Sequence, residues 1–165
     1  MSEPAMTETP EESLVRIMAE KKMTIATAES CTGGLISGRL VNAAGASSVF
    51  MGGFVTYSNE AKESFIGVSH ETLITHGAVS AETAAEMALG CARRAGCDIG
   101  LSSTGIAGPG GGTPTKPVGL IYIGCAVKGR VVTRELRLHG SRQENREETV
   151  RQALIFLNEC LRKEQ

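Results

Sequence analysis

The chain has 165 residues, 41% of them hydrophobic and 21% charged, and a formal net charge of -1, which suits one domain burying roughly two thirds of its unfolded surface. So small a charge offers no field to gather nucleic acid or an anionic membrane, and aromatics at 4% with no Trp offer no stacking platform for single strands. No apolar run approaches the ~20 residues needed to cross a bilayer, and the polar, acidic start from Met1 to Pro10 is unlike a signal peptide, so the expected address is the cytoplasm.

Residues 1 to 8 are expected to form a disordered tail and residues 9 to 165 the folded domain. Thr9-Pro10-Glu11-Glu12 reads as a helix start, with a Thr cap, Pro in the first turn and Glu three after the cap. Leu14, Val15, Ile17 and Met18 supply its apolar face, and Lys21-Lys22 close it. Thr24 to Thr27 is a short strand, followed at once by Ala28 to Gly34 and the start of a helix through Leu35, Ile36, Leu40 and Val41. Val49 to Tyr57 is a second strand, loosened by Gly52-Gly53. Ser58 or Asn59 caps a short helix carrying Lys62, with Phe65 and Ile66 on its apolar side. Ser69 and Ser80 cap two more helices, the second ending at Ala95-Gly96, where Gly suits the C-terminal cap. Asp98 to Thr104 is a third strand, with a glycine-rich loop from Gly105 to Gly112 after it. Val118 to Val127 and Val131 to Leu138 flank Lys128-Gly129 as a hairpin. The last helix buries Val150, Ala153, Leu154 and Leu157. Strands alternating with helices and ending in a hairpin predict a single α/β domain, a three-layer α/β/α arrangement with a mixed sheet.

The densest chemical signal is Thr27-Ala28-Glu29-Ser30-Cys31-Thr32-Gly33-Gly34. A nucleophile between a strand and a helix is exposed by the turn and lies near unpaired N–H groups carrying partial positive charge. Such donors can hold the oxyanion formed when a carboxamide is attacked. The same residues also read as a simple helix cap with glycines for packing. Tyr57 ends a strand and Lys62 follows in the first turn of the next helix, so both can face one pocket. A neutral lysine can take a proton from a serine hydroxyl once burial lowers its pKa from the ordinary ~10.4. Tyr57 is the other candidate proton carrier, and a surface lysine beside a strand-end tyrosine is the plain alternative.

Ser102 to Pro109 is a second glycine-rich turn that can cradle phosphate with backbone N–H groups. It lacks the Lys-Ser/Thr ending of a P-loop and the G-x-G-x-x-G spacing of a dinucleotide site, so ATP hydrolysis and dinucleotide redox chemistry are not supported. Arg142 and Arg146 share a helix face, as a two-pronged phosphate or carboxylate clamp would, or bridge to Glu144, Glu147 or Glu148 on the surface. The 5 cysteines are scattered without a C-x-x-C pair, which fits a reduced compartment. The 3 histidines show no metal-ligand spacing, so neither a metal nor another cofactor is expected.

In chain order, Thr27 to Gly34, Gly53 to Lys62, His76-Gly77-Ala78-Val79-Ser80, Gly105-Ile106-Ala107-Gly108-Pro109 and Lys116-Pro117-Val118-Gly119 resemble the CinA C-terminal domain family. These are competence/damage-inducible proteins that include bacterial nicotinamide-nucleotide amidases. The resemblance runs from about Glu11 to Leu161 and implies hydrolysis of nicotinamide mononucleotide to nicotinic acid mononucleotide and ammonia. By resemblance Ser30 is the nucleophile, and Tyr57 and Lys62 are the general acid/base pair. Cys31, Thr32, Gly33, Gly34, Thr104, Gly105, Arg142 and Arg146 are the substrate-binding set. Thr104 would orient substrate or the Ser–Lys network, backbone N–H groups near Thr32 to Leu35 would hold the oxyanion, and the phosphate would sit at the glycine loop or at the arginines.

The family's Gly-Asp-Arg reads Gly140-Ser141-Arg142 here, without the acid, and the loop runs on as Gly110-Gly111-Gly112-Thr113 where relatives often carry Asp. The larger N-terminal domain of full-length members has no counterpart in the sequence, which implies a stand-alone amidase, and a homo-oligomer is expected. Two rivals stand beside this reading: Cys31 as an activated thiolate nucleophile, and a pyridine-nucleotide-binding regulatory module without catalysis.

Overall fold

The computed structural model describes residues 6–164. Of the tail expected over residues 1 to 8, residues 1–5 lie outside the described residues, and Glu8 pairs with Arg16 at 2.8 Å. Helix α1 (Pro10–Lys21) begins with a complete capping box between Thr9 and Glu12. Strand β1 (Ile25–Glu29) runs two residues further than the sequence predicts. Helix α2 (Leu35–Val41) begins only after a turn over Ser30 to Gly34, because Gly33 and Gly34 take φ of 55° and 105°. Side chains rarely adopt that left-handed backbone, so glycine is required there and the helix cannot start sooner. A short 3-10 helix at Ala46–Ser48, unforeseen in the sequence, leads into β2 (Phe50–Val55).

Ser58 caps α3 (Asn59–Ile66), Ser69 caps α4 (His70–His76), and Ser80 caps α5 (Ala81–Ala95), each through its hydroxyl. In α3 the expected apolar side is corrected: Ile66 is buried, Phe65 is exposed, and Lys62, one turn before Ile66, shares the buried face. Strands β3 (Ile99–Gly105), β4 (Leu120–Val127) and β5 (Arg130–Arg137) follow, and α6 (Arg142–Arg162) ends the fold. Ser141, where the resembled pattern has an acid, caps α6 through its hydroxyl in a capping box with Glu144.

The sheet order is β2-β1-β3-β4-β5, with β1 parallel to both β2 and β3 and the hairpin strands antiparallel. One core packs α1, α2 and α6 against one face; the other packs α3, α4 and α5 against the opposite face. Strand β1 is buried along its whole length, as a central parallel strand covered on both faces must be. The chain leaves β1 for β2 on one side and reaches β3 on the other, so the carboxyl end of β1 is a topological switch point, where the ends of neighbouring strands leave a crevice. Among the described residues no helix is long and apolar enough to cross a membrane.

Candidate active site

The parallel strands deliver three chain segments to that crevice. The ladder continues past β1: Ser30 N–H donates to the Ser103 carbonyl at 2.9 Å, and Thr56 N–H donates to the Glu29 carbonyl at 2.9 Å. Ser30 is thereby pinned between the ends of β2 and β3, with 8% of its surface exposed. Lys62 reaches in from α3 at 1% exposure and places its Nζ 3.1 Å from Ser30 Oγ. The same nitrogen donates to the carbonyls of Thr56 at 2.9 Å and Tyr57 at 3.4 Å. Burial pushes the Lys62 amine below its ordinary pKa. The Thr56 hydroxyl is buried beside this contact with no hydrogen-bond partner among the described residues.

The turn of residues 30–34 is held from several sides. Glu29, fully buried, accepts from the Thr32 hydroxyl at 2.6 Å, from the Ile36 N–H at 2.8 Å, and from the Ser37 N–H and hydroxyl at 3.0 and 2.7 Å. The Thr32 hydroxyl also meets the Ser103 hydroxyl at 2.6 Å. Arg146 donates from Nε to the Cys31 carbonyl at 2.9 Å and from Nη2 to the Thr32 carbonyl at 3.1 Å. Gly33 N–H is taken by the Ser30 carbonyl and Leu35 N–H by the Thr32 carbonyl. These contacts narrow the set of N–H groups left unbonded in the turn. Of the stretch from Thr32 to Leu35 only Thr32 and Gly34 keep unbonded N–H groups among the described residues, and Cys31 adds a third.

Arg142 reaches elsewhere. It donates to the Gly108 carbonyl at 2.7 Å and to the Tyr57 hydroxyl at 3.2 Å. Tyr57 is 62% exposed, and its hydroxyl bonds to neither Lys62 nor Ser30. The surface bridges considered for the arginines do not form: Glu144 caps the Ser141 N–H, Glu147 takes Gln143, and Glu148 takes Arg151. Lys62, Arg142 and Arg146 have no carboxylate partner within ion-pair distance among the described residues.

Other expected site residues make contacts within the fold. The Thr104 hydroxyl donates to the Ala78 carbonyl at 2.7 Å, fixing the chain ahead of α5. A Cβ at Gly105 would lie 2.5 Å from Ile121, so that glycine answers a packing need between β3 and β4. The Cys31 side chain belongs to the core beneath α2 and α6, and burial pushes its thiol up to about 11. Glu29, Ser103 and Asn145 were not singled out from sequence. Buried Asn145 ties the Gly140 N–H to the Ala107 carbonyl and so fastens the glycine loop to α6. Only alternation along β1, which puts Glu29 on one face with Ile25 and Thr27, hinted at the first of these. Among the described residues no group of three His, Cys, Asp or Glu converges as a metal site. The cleft of about 370 Å³ bordered by Cys125, Arg130, Cys160 and Lys163 lies at the other edge of the sheet and shares no residue with this cluster.

Fold and cluster together define a three-layer α/β/α protein with a buried serine–lysine contact at the carboxyl ends of its parallel strands. A family model described as the CinA C-terminal domain matches residues 7–161. The chain belongs to the CinA C-terminal domain family. A Clostridium acetobutylicum relative, named as a competence-damage inducible protein, is 59% identical over 147 residues, which are 89% of this chain and 36% of the relative. A CinA-like protein of Kosmotoga olearia is 53% identical over 93% of this chain and 37% of its own length. The chain therefore spans just over a third of the length of these curated relatives. The solved competence/damage inducible protein CihA from Agrobacterium tumefaciens is 44% identical, with a TM-score of 0.83 over 94% of this chain and 99% of that one. A CinA superfamily protein from Klebsiella pneumoniae superposes with a TM-score of 0.90 at 33% identity, over 93% of this chain and 96% of that one.

Proposed function

We propose that the chain hydrolyses the carboxamide of nicotinamide mononucleotide to nicotinic acid mononucleotide and ammonia, with Ser30 as nucleophile. The observation that carries the reading is the 3.1 Å approach of buried Lys62 Nζ to Ser30 Oγ, with no carboxylate bonded to the amine. A neutral lysine amine has two N–H donors and one lone pair. Here two backbone carbonyls, of Thr56 and Tyr57, receive the two donors, which leaves the lone pair for the serine hydroxyl. Burial favours that neutral form.

In the proposed reaction Ser30 Oγ attacks the carboxamide carbon and its proton passes to Lys62. The N–H groups of Cys31, Thr32 and Gly34 are the free donors for the oxyanion. As the C–N bond breaks, Lys62 returns the proton to the departing ammonia. Water then attacks the acyl-serine, gives a proton to Lys62, and Ser30 recovers its own as the acid leaves. The two arginines suit the phosphate of the substrate, and Arg142, which reaches both the glycine loop and Tyr57, is the better placed. Tyr57 borders the entrance in this scheme, and Lys62 alone carries the proton. The Cys31 rival is disfavoured by its core packing and raised thiol pKa.

The test is ammonia release from nicotinamide mononucleotide by the purified protein with chelator present, beside Ser30→Ala. Release by the wild type alone is expected. Release undiminished in Ser30→Ala would end the serine mechanism, and no release from a folded protein that binds the nucleotide would favour a regulatory module.

A further inference from the structure

The Glu29 carboxylate is fully buried, and no Lys, Arg or His pairs with it among the described residues. A buried carboxylate is costly unless fixed dipoles satisfy it. The dipoles here are the second and third N–H groups of α2, joined by the hydroxyls of Thr32 and Ser37. The other first-turn donors of α2 are also occupied, Leu35 by the Thr32 carbonyl at 3.1 Å and Gly38 by the Gly34 carbonyl at 2.9 Å. The start of α2 thus has no donor left for a ligand, and Glu29 is the side chain that ties Thr32 of the turn to the first turn of α2.

We infer that Glu29 is the positioning residue of the nucleophile turn, tying Thr32 to the start of α2 so that Ser30 Oγ stays on Lys62 and the turn's free N–H groups face the crevice. The inference rests on the reading of Ser30 as an acyl-transfer nucleophile. Arg146 grips the same turn by the Cys31 and Thr32 carbonyls. In a trans peptide the N–H points opposite to the carbonyl, so the Thr32 N–H faces away from Arg146. Glu29→Gln keeps the volume but sets an NH2 donor against α2 N–H groups or hydroxyls that need an acceptor. The turn must then shift, and a misplacement of ~1 Å at a reacting group can cost on the order of 100-fold in rate.

The experiment follows labelling of Ser30 by a fluorophosphonate probe, read by mass spectrometry. The Ser30 Oγ–phosphorus bond forms, the phosphorus–fluorine bond breaks, fluoride leaves and Lys62 takes the serine proton. For folded Glu29→Gln the maximal labelling rate is expected to fall at least about ten-fold, with the half-saturating probe concentration unchanged. A purely structural role would lower the melting temperature and leave the rate of the folded protein alone, so a wild-type rate in Glu29→Gln overturns the inference. Should that variant not fold, Thr32→Val removes the hydroxyl that Glu29 holds while keeping every N–H of the turn. It is expected to label at least about three-fold more slowly, and a wild-type rate overturns the inference as well. Absence of labelling in the wild type would sink the serine reading itself, and the positioning role with it. Labelling of the wild type without ammonia release would remove only the substrate assignment, and the comparison of variants would still decide the role of Glu29.

Discussion

Lys62 Nζ lies 3.1 Å from Ser30 Oγ, and its remaining contacts are two backbone carbonyls rather than a carboxylate. Burial works against charging this amine and outweighs the opposing pull of nearby Glu60, which makes no ion pair with it. The contact is built by ordinary means. Ser58 caps α3, Ile66 anchors it, and Lys62 lies one turn earlier on the same buried face.

Ser30→Ala is expected to abolish ammonia release while the protein stays folded, since among the described residues Lys62 is the one side chain its Oγ bonds to. Cys31→Ala should retain activity, and iodoacetamide should label Cys31 slowly at neutral pH because its thiol is pushed up to about 11. Rapid loss of activity on alkylation of Cys31 would contradict this assignment.

Activity should rise with pH along a limb set by Lys62. The base must be neutral, so kcat/KM is lost as pH falls through the Lys62 pKa, which burial places below the ordinary ~10.4 of lysine. A rate profile flat from mildly acidic to mildly alkaline pH would show that Lys62 is not the titrating base.

The same shift makes stability depend on pH. The unfolded chain holds the Lys62 proton up to ~10.4, whereas the folded chain releases it at a lower pH. Between the two values the unfolded state binds more protons, so this group makes stability rise with pH there and adds no slope outside that window. Lys62→Met keeps much of the apolar stem and removes the buried amine. It is expected to raise stability at neutral pH and to lose this part of the slope in urea midpoints taken across the pH range. Equal slopes in the two proteins would refute the assignment.

Arg142 and Arg146 should differ in kinetics. Arg146 holds the Ser30 turn through two carbonyls, so Arg146→Ala is expected to lower kcat about ten-fold or more. Arg142→Ala, which frees the Gly108 loop and Tyr57, should mainly raise KM for the nucleotide and have less effect on the corresponding riboside without phosphate. Reversal of that pattern would move the phosphate to Arg146.

Thr56 carries a buried hydroxyl with no partner among the described residues. An unsatisfied buried hydroxyl costs about 1–3 kcal/mol. Thr56→Val, which removes the group and keeps the shape, should therefore stabilise the protein by about 1 kcal/mol in chemical denaturation. Destabilisation of similar size would show that the hydroxyl has a partner in solution.

By itself the sequence determined most of the local structure: the Thr9, Ser58, Ser69 and Ser80 caps, the glycine turn after β1, the hairpin at Lys128-Gly129 and the buried stripe of α6. These follow from hydrogen-bonding needs, backbone sterics and apolar period, which act over a few residues. Ser30 and Lys62, which the structure brings together, were legible as motifs. Tertiary structure alone decided what the long side chains meet: Arg146 on carbonyls 115 and 114 residues away, Thr104 on Ala78, Tyr57 on Arg142 and away from Lys62. It also decided that Glu29 occupies the start of α2, moving the free N–H groups into the turn before it. Such contacts depend on how the layers stack on the sheet and on the order in which its strands lie, and neither is encoded in any short window of chain.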